Sequence, residues 1–472
     1  MLNISGRQIW KMEICYFRAL EKIIEVHIMN EDMKKYNEWK EYPERDTRGT
    51  IWYPPMLSPL DMDAIWEKRN IGFYVHVPFC KGICKYCPFN RYPWEENAAK
   101  LFVNSLKREI DIMSDIGYIK NSTIVAGYFG GGTPTSLSSE QLVDIISHIK
   151  DKFSVKENIE ISLEANPATI DYEKLSALKQ AGITRISLGI QSFNDSILKS
   201  MGCSHTASQA ITAIETAKKV GFNSLNIDLL YNVPGQTVSD WEQDVLKTLS
   251  YDIDHVSPMC LFVDSQSKLF DEYYSSGNTV KQIEELELNM YEIAHNHFVN
   301  NGYHMYTLYD YAKPGKECED HKLNWEAPQG EYFGMGPGAI SHINDYVYVN
   351  KANPKEYSDI ISLDKSPVGF GKKLSIVDQM SRFMVFGFYC LEVHKSEFQK
   401  KFGVSVETIF GDTLTKLSIQ GLIEDYQGIL KLTDKGMKYL YNVSSAFYQE
   451  DYKYYPENIK KKIQPKLTNQ SS

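Results

Sequence analysis

No apolar run in the 472-residue chain reaches the roughly 18 residues that a membrane-crossing helix needs. The opening stretch from Met1 to Glu13 is broken by charges and does not read as a secretory signal. Positive charge is also short: Lys and Arg number 51 against 61 Asp and Glu, a formal net charge of −10. A protein that holds a phosphate backbone needs a basic field, so nucleic acid is not an expected partner. Cysteine is scarce at 8 residues. Without a secretory context these read as ligands or free thiols in a reducing cytoplasm, not as a disulfide framework.

The cysteines that are present are unevenly placed. Cys80, Cys84 and Cys87 fall in one stretch with the spacing C-x3-C-x2-C, whereas Cys15, Cys203, Cys260, Cys318 and Cys390 stand singly. A structural zinc knuckle wants four ligands, and no fourth is nearby. Three thiolates suit a [4Fe–4S] cluster with one iron left open to chelate a substrate or cofactor. Aromatics make up 12% of the chain, with 31 Tyr, which allows an aromatic-lined cavity for a flat ligand.

The length and the 43% hydrophobic content predict a large core and more than one domain. Residues 1–70 read as an extension, with a short helix over Phe17–Met33 and two aromatic–proline segments around Trp39 and Trp52 that would wrap as an arm. From 71 to 365 short apolar strands alternate with helices. The strands are Gly72–Val77, Ser122–Phe129, Ile159–Leu163, Arg185–Ile190, Ser224–Tyr231 and His255–Leu261. The helices are Ala99–Ile116, Ser139–Phe153, Tyr172–Gln180, Ala207–Val220, Trp241–Ser250 and Glu284–Asn300. This alternation predicts parallel βα units, and polar or glycine-rich residues gather at the strand ends where such barrels place their sites. Six strands in place of eight predict a partial, open barrel. A strand and turn are expected around Met305–Lys313, and the glycine-rich run Phe333–His342 should pack closely against the rim. Residues 366–472 read as a small α+β domain: helices over Leu374–Tyr389, Lys395–Phe402 and Val406–Gln420, a hairpin over Leu422–Leu432, and a helix over Asp434–Phe447. That order is winged-helix-like, but its weak basic bias favours a lid or packing module over DNA binding.

Taken in order, the motifs carry a resemblance. Tyr74-Val-His-Val-Pro-Phe-Cys80 and its cysteine spacing are followed by Gly130-Gly131-Gly132-Thr133-Pro-Thr and then by Glu164-Ala-Asn-Pro. Gly189-Ile-Gln191-Ser-Phe-Asn and Asp228-Leu-Leu-Tyr-Asn-Val-Pro-Gly-Gln-Thr complete the series. This series resembles the radical SAM enzymes of the HemN/HemW group, which includes oxygen-independent coproporphyrinogen III oxidases, haem chaperones and class C methyltransferases. The resemblance implies that Cys80, Cys84 and Cys87 hold a [4Fe–4S] cluster whose open iron chelates S-adenosylmethionine, one or two molecules of it. Reduced flavodoxin or ferredoxin would supply the electron that cleaves it to a 5′-deoxyadenosyl radical. It also implies that Tyr74, Tyr86, Gly131, Gly132, Thr133, Glu164, Gln191 and Asp228 contact S-adenosylmethionine. The implied substrate is a tetrapyrrole or similar flat heteroaromatic, modified by methyl transfer or oxidative decarboxylation; the alternative is a haem-binding chaperone.

Three positions depart from the group. Phe89 stands where the coproporphyrinogen oxidases carry a further Cys. Cys203 stands where many members carry an Arg that clamps a carboxylate, and reads as packing. The segment Asp320-His321-Lys-Leu-Asn-Trp325 keeps the His and Trp of a chaperone motif but not its full pattern, which makes His321 a candidate haem ligand.

Overall fold

The computed structural model describes residues 69–261, 280–325 and 327–449. The N-terminal extension, with its expected helix and aromatic–proline segments, lies outside the described residues, as does the lysine-rich tail at Lys460–Lys462.

All six expected strands form: β1 (Asn70–Val77), β4 (Thr123–Gly131), β5 (Val155–Ala165), β6 (Arg185–Gln191), β7 (Ser224–Tyr231) and β8 (His255–Cys260). The two-residue strands β2 (Phe79–Cys80) and β3 (Tyr92–Pro93) lie between β1 and β4. The six are neighbours in chain order, each parallel to the next. Parallel strands are covered on both faces, which is why they read as near-continuous apolar runs. Ile71, Phe73, Val75 and Val77 of β1 are all fully buried. Three of the helices between them start on capping boxes, at Ser138 with Gln141, Thr206 with Gln209, and Thr237 with Asp240. Gly182 and Gly221 end two of them in the left-handed conformation.

The sheet is larger than the six strands. Beyond β8 come β10 (Tyr311–Ala312) and β9 (His304–Met305), both antiparallel. The single strand expected around Met305 is therefore two short ones. On the other side β11 (Tyr332–Met335) pairs parallel to β1. The antiparallel strands β12 (Ile340–Ile343), β13 (Tyr346–Asn350) and β14 (Val368–Lys373) follow it. The glycine-rich run is thus a strand of the sheet and its turn, not a rim segment alone. Gly336 explains the glycines: its φ is +96°, and a Cβ there would lie 2.4 Å from the His76 carbonyl. The twelve strands run from β14 to β9 without closing, an open α/β barrel.

The boundary expected at 366 falls just before β14, which still belongs to this sheet. Beyond it a second core gathers around Phe383, Phe386, Phe398, Leu417 and Phe447. Helices Ile376–Tyr389, Lys395–Phe402 and Val406–Ile419 pack on the three strands β15 (Glu392–His394), β16 (Ile423–Tyr426) and β17 (Ile429–Leu432). The hairpin turn places Gln427 and Gly428 at positive φ. The expected final helix is two short ones, Asp434–Lys438 and Leu440–Ser445. The break falls at Tyr439, whose φ/ψ of −116°/30° is not helical. Leu308 packs against this second core and the Tyr309 hydroxyl meets that of Tyr441, so the small domain is seated on the barrel.

Candidate functional site

The cysteine loop is closed at its base by β2 and β3. Tyr92 N donates to Pro78 O at 2.7 Å and Trp94 N to Cys80 O at 2.8 Å. Cys80 is buried at the end of β2, and Cys84 and Cys87 are half-buried in the loop. The glycines after β4 press on it: a Cβ on Gly132 would lie 3.0 Å from Cys80 Sγ and from Phe79 O. Thr133 Oγ1 donates to Cys80 Sγ at 3.4 Å. Burial pushes the Cys80 thiol up, and pushes that of Cys87 to about 11. A hydrogen bond from Cys203 pulls Cys84 the other way. The Arg91 guanidinium lies across the loop, donating to Phe89 O at 3.0 Å and Cys84 O at 3.4 Å, and favours thiolate at all three positions. Thiolate is the form that binds metal, and binding releases the protons. Among the described residues no three His, Cys, Asp or Glu side chains converge on a point where one metal ion could sit. A cubane takes each thiolate on a separate iron, so its ligands need to surround a volume and not a point.

Behind the loop the strands present a polar series. Tyr74 of β1 donates its hydroxyl to His76 Nδ1 at 3.0 Å, and His76 Nε2 donates to Asn90 O at 2.8 Å. These partners fix one tautomer, and burial lowers His76 to about 4, so the ring is neutral. Glu164, near the end of β5, is half-buried. Desolvation, then the Asp228 charge, push it up to about 7, opposed by hydrogen bonds from the Tyr128 hydroxyl and Gly131 N–H. A Cβ on Gly130 would lie 3.0 Å from Glu164 Oε1 and 3.1 Å from the Tyr74 ring. Asp228 of β7 accepts from Asn226 Nδ2 at 2.6 Å and from Ser187 Oγ at 3.2 Å. Burial pushes it up to about 6 against the pull of Arg185. Gln191 ends β6 at φ +65°, and its buried Oε1 has no hydrogen-bond partner. Tyr86 sits on the other side of the cysteine loop, hydrogen-bonded to Cys84 and packed with Cys203, Met201 and Leu230.

The fold thus brings Cys80, Gly131, Gly132, Thr133, Tyr74, Glu164 and Asp228 to one region. Gln191 stands on the strand between the two carboxylates, and Tyr86 flanks the loop. Three thiols, a glycine cradle and an orphaned buried carbonyl oxygen fit a cluster and a polar ligand bearing hydrogen-bond donors.

Sequence reasoning missed the neighbours that organise this region. Tyr128 stacks between Tyr74, at 6.3 Å between centroids, and His321, at 5.8 Å. His321 Nδ1 donates to Asp310 Oδ2 at 2.9 Å, and Ser257 and Thr307 donate to the same carboxylate at 2.5 and 2.8 Å. These partners hold Asp310 far below the usual carboxylate range despite its burial. Tyr128, just before the glycine run, offered only its place in the strand as a signal. Asp310 offered none, since beside the local Thr307 its partners Ser257 and His321 come from other segments.

Comparisons with known proteins agree with this geometry. The model of the Radical SAM superfamily matches residues 74–247, and that of the HemN C-terminal domain matches residues 374–439. The protein named heme chaperone HemW from Bacillus subtilis is 33% identical over 80% of this chain and 99% of its own length. That of Lactococcus lactis is 30% identical over 82% of this chain and 99% of its own. Among solved structures, coproporphyrinogen III oxidase (HemN) from Escherichia coli, described as a radical SAM enzyme, superposes with a TM-score of 0.71 at 22% identity. That match covers 80% of this chain and 90% of that one, a likeness of fold. The chain belongs to the radical SAM superfamily, in its HemN/HemW-like group, and with that membership come a [4Fe–4S] cluster and S-adenosylmethionine as cofactors.

Proposed function

We propose that the chain is a haem-binding chaperone built around a radical SAM cofactor site. The observation that carries this reading is the end-to-end match to proteins named heme chaperone, which spans 99% of their length and so goes beyond a shared barrel. Phe89 supports it, standing where the decarboxylating members carry a further Cys.

In this reading Cys80, Cys84 and Cys87 hold the [4Fe–4S] cluster, which when bound supplies a low-potential electron to S-adenosylmethionine. Gly131, Gly132 and Thr133 let backbone approach the cofactor closely. Glu164, poised near 7, takes the charge of its ammonium group, and Gln191 Oε1 and Asp228 accept from its remaining donors. Tyr74 and Tyr86 would add contacts to it from β1 and from the cysteine loop. Reduced flavodoxin or ferredoxin serves as electron donor. His321 is the haem ligand: Asp310 accepts the hydrogen bond of its Nδ1–H, which keeps the proton on Nδ1 and directs Nε2 to the iron.

Haem titration of the cluster-loaded protein, followed in the visible spectrum, tests the reading. Stoichiometric binding is expected. Asp310→Asn should weaken it by about 10–100-fold, the usual effect of losing a ligand's supporting carboxylate, and His321→Ala by more. A flat titration of the wild type would remove the chaperone reading.

The raised carboxyls of Glu164 and Asp228, on neighbouring parts of the sheet, favour a second reading, a radical SAM enzyme acting on a tetrapyrrole. Mass spectrometry of reduced protein with S-adenosylmethionine and a tetrapyrrole panel separates methylation, decarboxylation and no reaction. Absence of 5′-deoxyadenosine throughout would end this second reading.

A further inference from the structure

We propose that Cys84 and Cys203 form a reversible disulfide when the cluster is absent, an oxidative modification site built into the cofactor loop. Cys203 lies more than a hundred residues from the cysteine loop in sequence, yet the fold sets its side chain beside that of Cys84. Cys84 stands between Gly82 and Lys85, and Cys203 between Gly202 and Ser204, the residues through which the two segments touch.

The backbone around the pair is clamped. Lys85 N donates to Met201 O at 2.9 Å. Gly202 ends helix Asp195–Met201 in the left-handed conformation, and Cys203 N returns to Leu198 O at 2.9 Å, which fixes the Cys203 backbone on the helix end. Two glycines permit the approach. A Cβ on Gly82 would lie 2.7 Å from the Ser204 Cβ, and one on Gly202 would lie 3.3 Å from Lys85 Cγ. The two segments therefore touch on both sides of the thiol pair. Both thiols are half-buried and within reach of a small oxidant. The other described cysteines are placed elsewhere: Cys260 ends β8 beside Asn232, Cys318 is enclosed beside Ser162, and Cys390 ends a helix of the C-terminal domain.

The chemistry is thiol–disulfide exchange with a low-molecular-weight disulfide such as oxidised glutathione. One protein thiolate attacks it and expels a glutathione thiolate. The second protein thiolate then attacks the mixed disulfide and expels another. Two protein thiols are oxidised, one glutathione disulfide is reduced to two thiols, and no other reactant is needed. With Cys84 engaged, two of the three cluster ligands are left, so the loop cannot take up a cluster until a thiol reductant releases it.

This consequence rests on the cluster assignment of Cys84, and the test separates the two claims. Cluster-free full-length protein is exposed to oxidised glutathione, mapped by peptide mass spectrometry, and then offered iron and sulfide. A Cys84–Cys203 cross-linked peptide is expected. Iron uptake should fall to the level of Cys84→Ala and return after dithiothreitol. Cys203→Ala and Cys203→Ser should keep their iron uptake through the same exposure. A map showing Cys84 joined to Cys80 or Cys87, or Cys203 variants losing uptake as the wild type does, would overturn the inference. Failure of the untreated, reduced wild type to take up iron would overturn the cluster assignment alone, because the peptide map reads the disulfide without iron.

Discussion

Gln191 Oε1 is a buried acceptor without a donor. A group in that state costs about 1–3 kcal/mol in desolvation that nothing returns. Replacing Gln191 by Leu should therefore raise the melting temperature of the cofactor-free protein while weakening its binding of S-adenosylmethionine. Calorimetry of both proteins, with and without the cofactor, checks this, and a variant that melts lower would show that the oxygen is not orphaned. Glu109 is a structural counterpart, away from the cysteine loop. It is fully buried and accepts from Tyr357 Oη at 2.6 Å, Asn350 Nδ2 at 2.7 Å and Gly336 N at 2.7 Å, yet desolvation still pushes it from 4.5 to about 7. Unfolded, it ionises near 4.5; folded, it keeps its proton to about 7. Its contribution is thus fully present below pH 4.5 and declines as pH rises through 7, by about 3 kcal/mol in all. In urea titrations the stability of the wild type relative to Glu109→Gln should fall between pH 4.5 and 7.5. A gap that stays constant would mean that the carboxyl ionises normally.

The elements divide into those announced by their own residues and those that depend on a distant partner. The six parallel strands are apolar runs bounded by turn residues, and the capping boxes mark helix starts within four residues, so both were legible locally. Strand β11 was not: it pairs with β1 from about 260 residues away, and its glycines serve that approach. Gly336→Ala combines a left-handed φ with a clash on the His76 carbonyl. It should destabilise by at least about 1–3 kcal/mol, the usual range for such backbone strain, read as a lower urea midpoint. Because His76 holds Tyr74 and Asn90, the same change should also weaken cofactor binding. Retention of full affinity would show that the β1–β11 seam and the site are uncoupled.

For the molecule as a whole, the stack of Tyr74, Tyr128 and His321 joins the region of the cysteine loop to the Asp310 network. Tyr128 also hydrogen-bonds Glu164, so one ring contacts both the proposed cofactor carboxylate and the proposed haem ligand. Occupying either should alter the other. Haem affinity measured with and without S-adenosylmethionine should differ by about 5-fold or more, the lower end of typical coupling energies, and the cofactor's affinity should change by the same factor with haem. Tyr128→Leu should reduce the coupling while leaving the separate affinities less affected. Equal affinities in the wild type, whatever the other ligand, would show the two regions to be independent.

By itself the sequence determined the radical SAM barrel, the C-terminal domain and the cluster-type cysteine loop. Each is written in contiguous residues whose spacing and polarity act locally: a C-x3-C-x2-C loop, glycines at strand ends, buried strands. Tertiary structure alone decided the rest. Whether Glu164 and Asp228 hold their protons depends on how much water the assembled sheet removes and on which charges it sets beside them. The same holds for Asp310, Tyr128 and His321, and for Cys203, which reads as a lone residue until helix Asp195–Met201 carries it against Cys84. Those contacts are set by packing between segments far apart in the chain, and no local pattern encodes them.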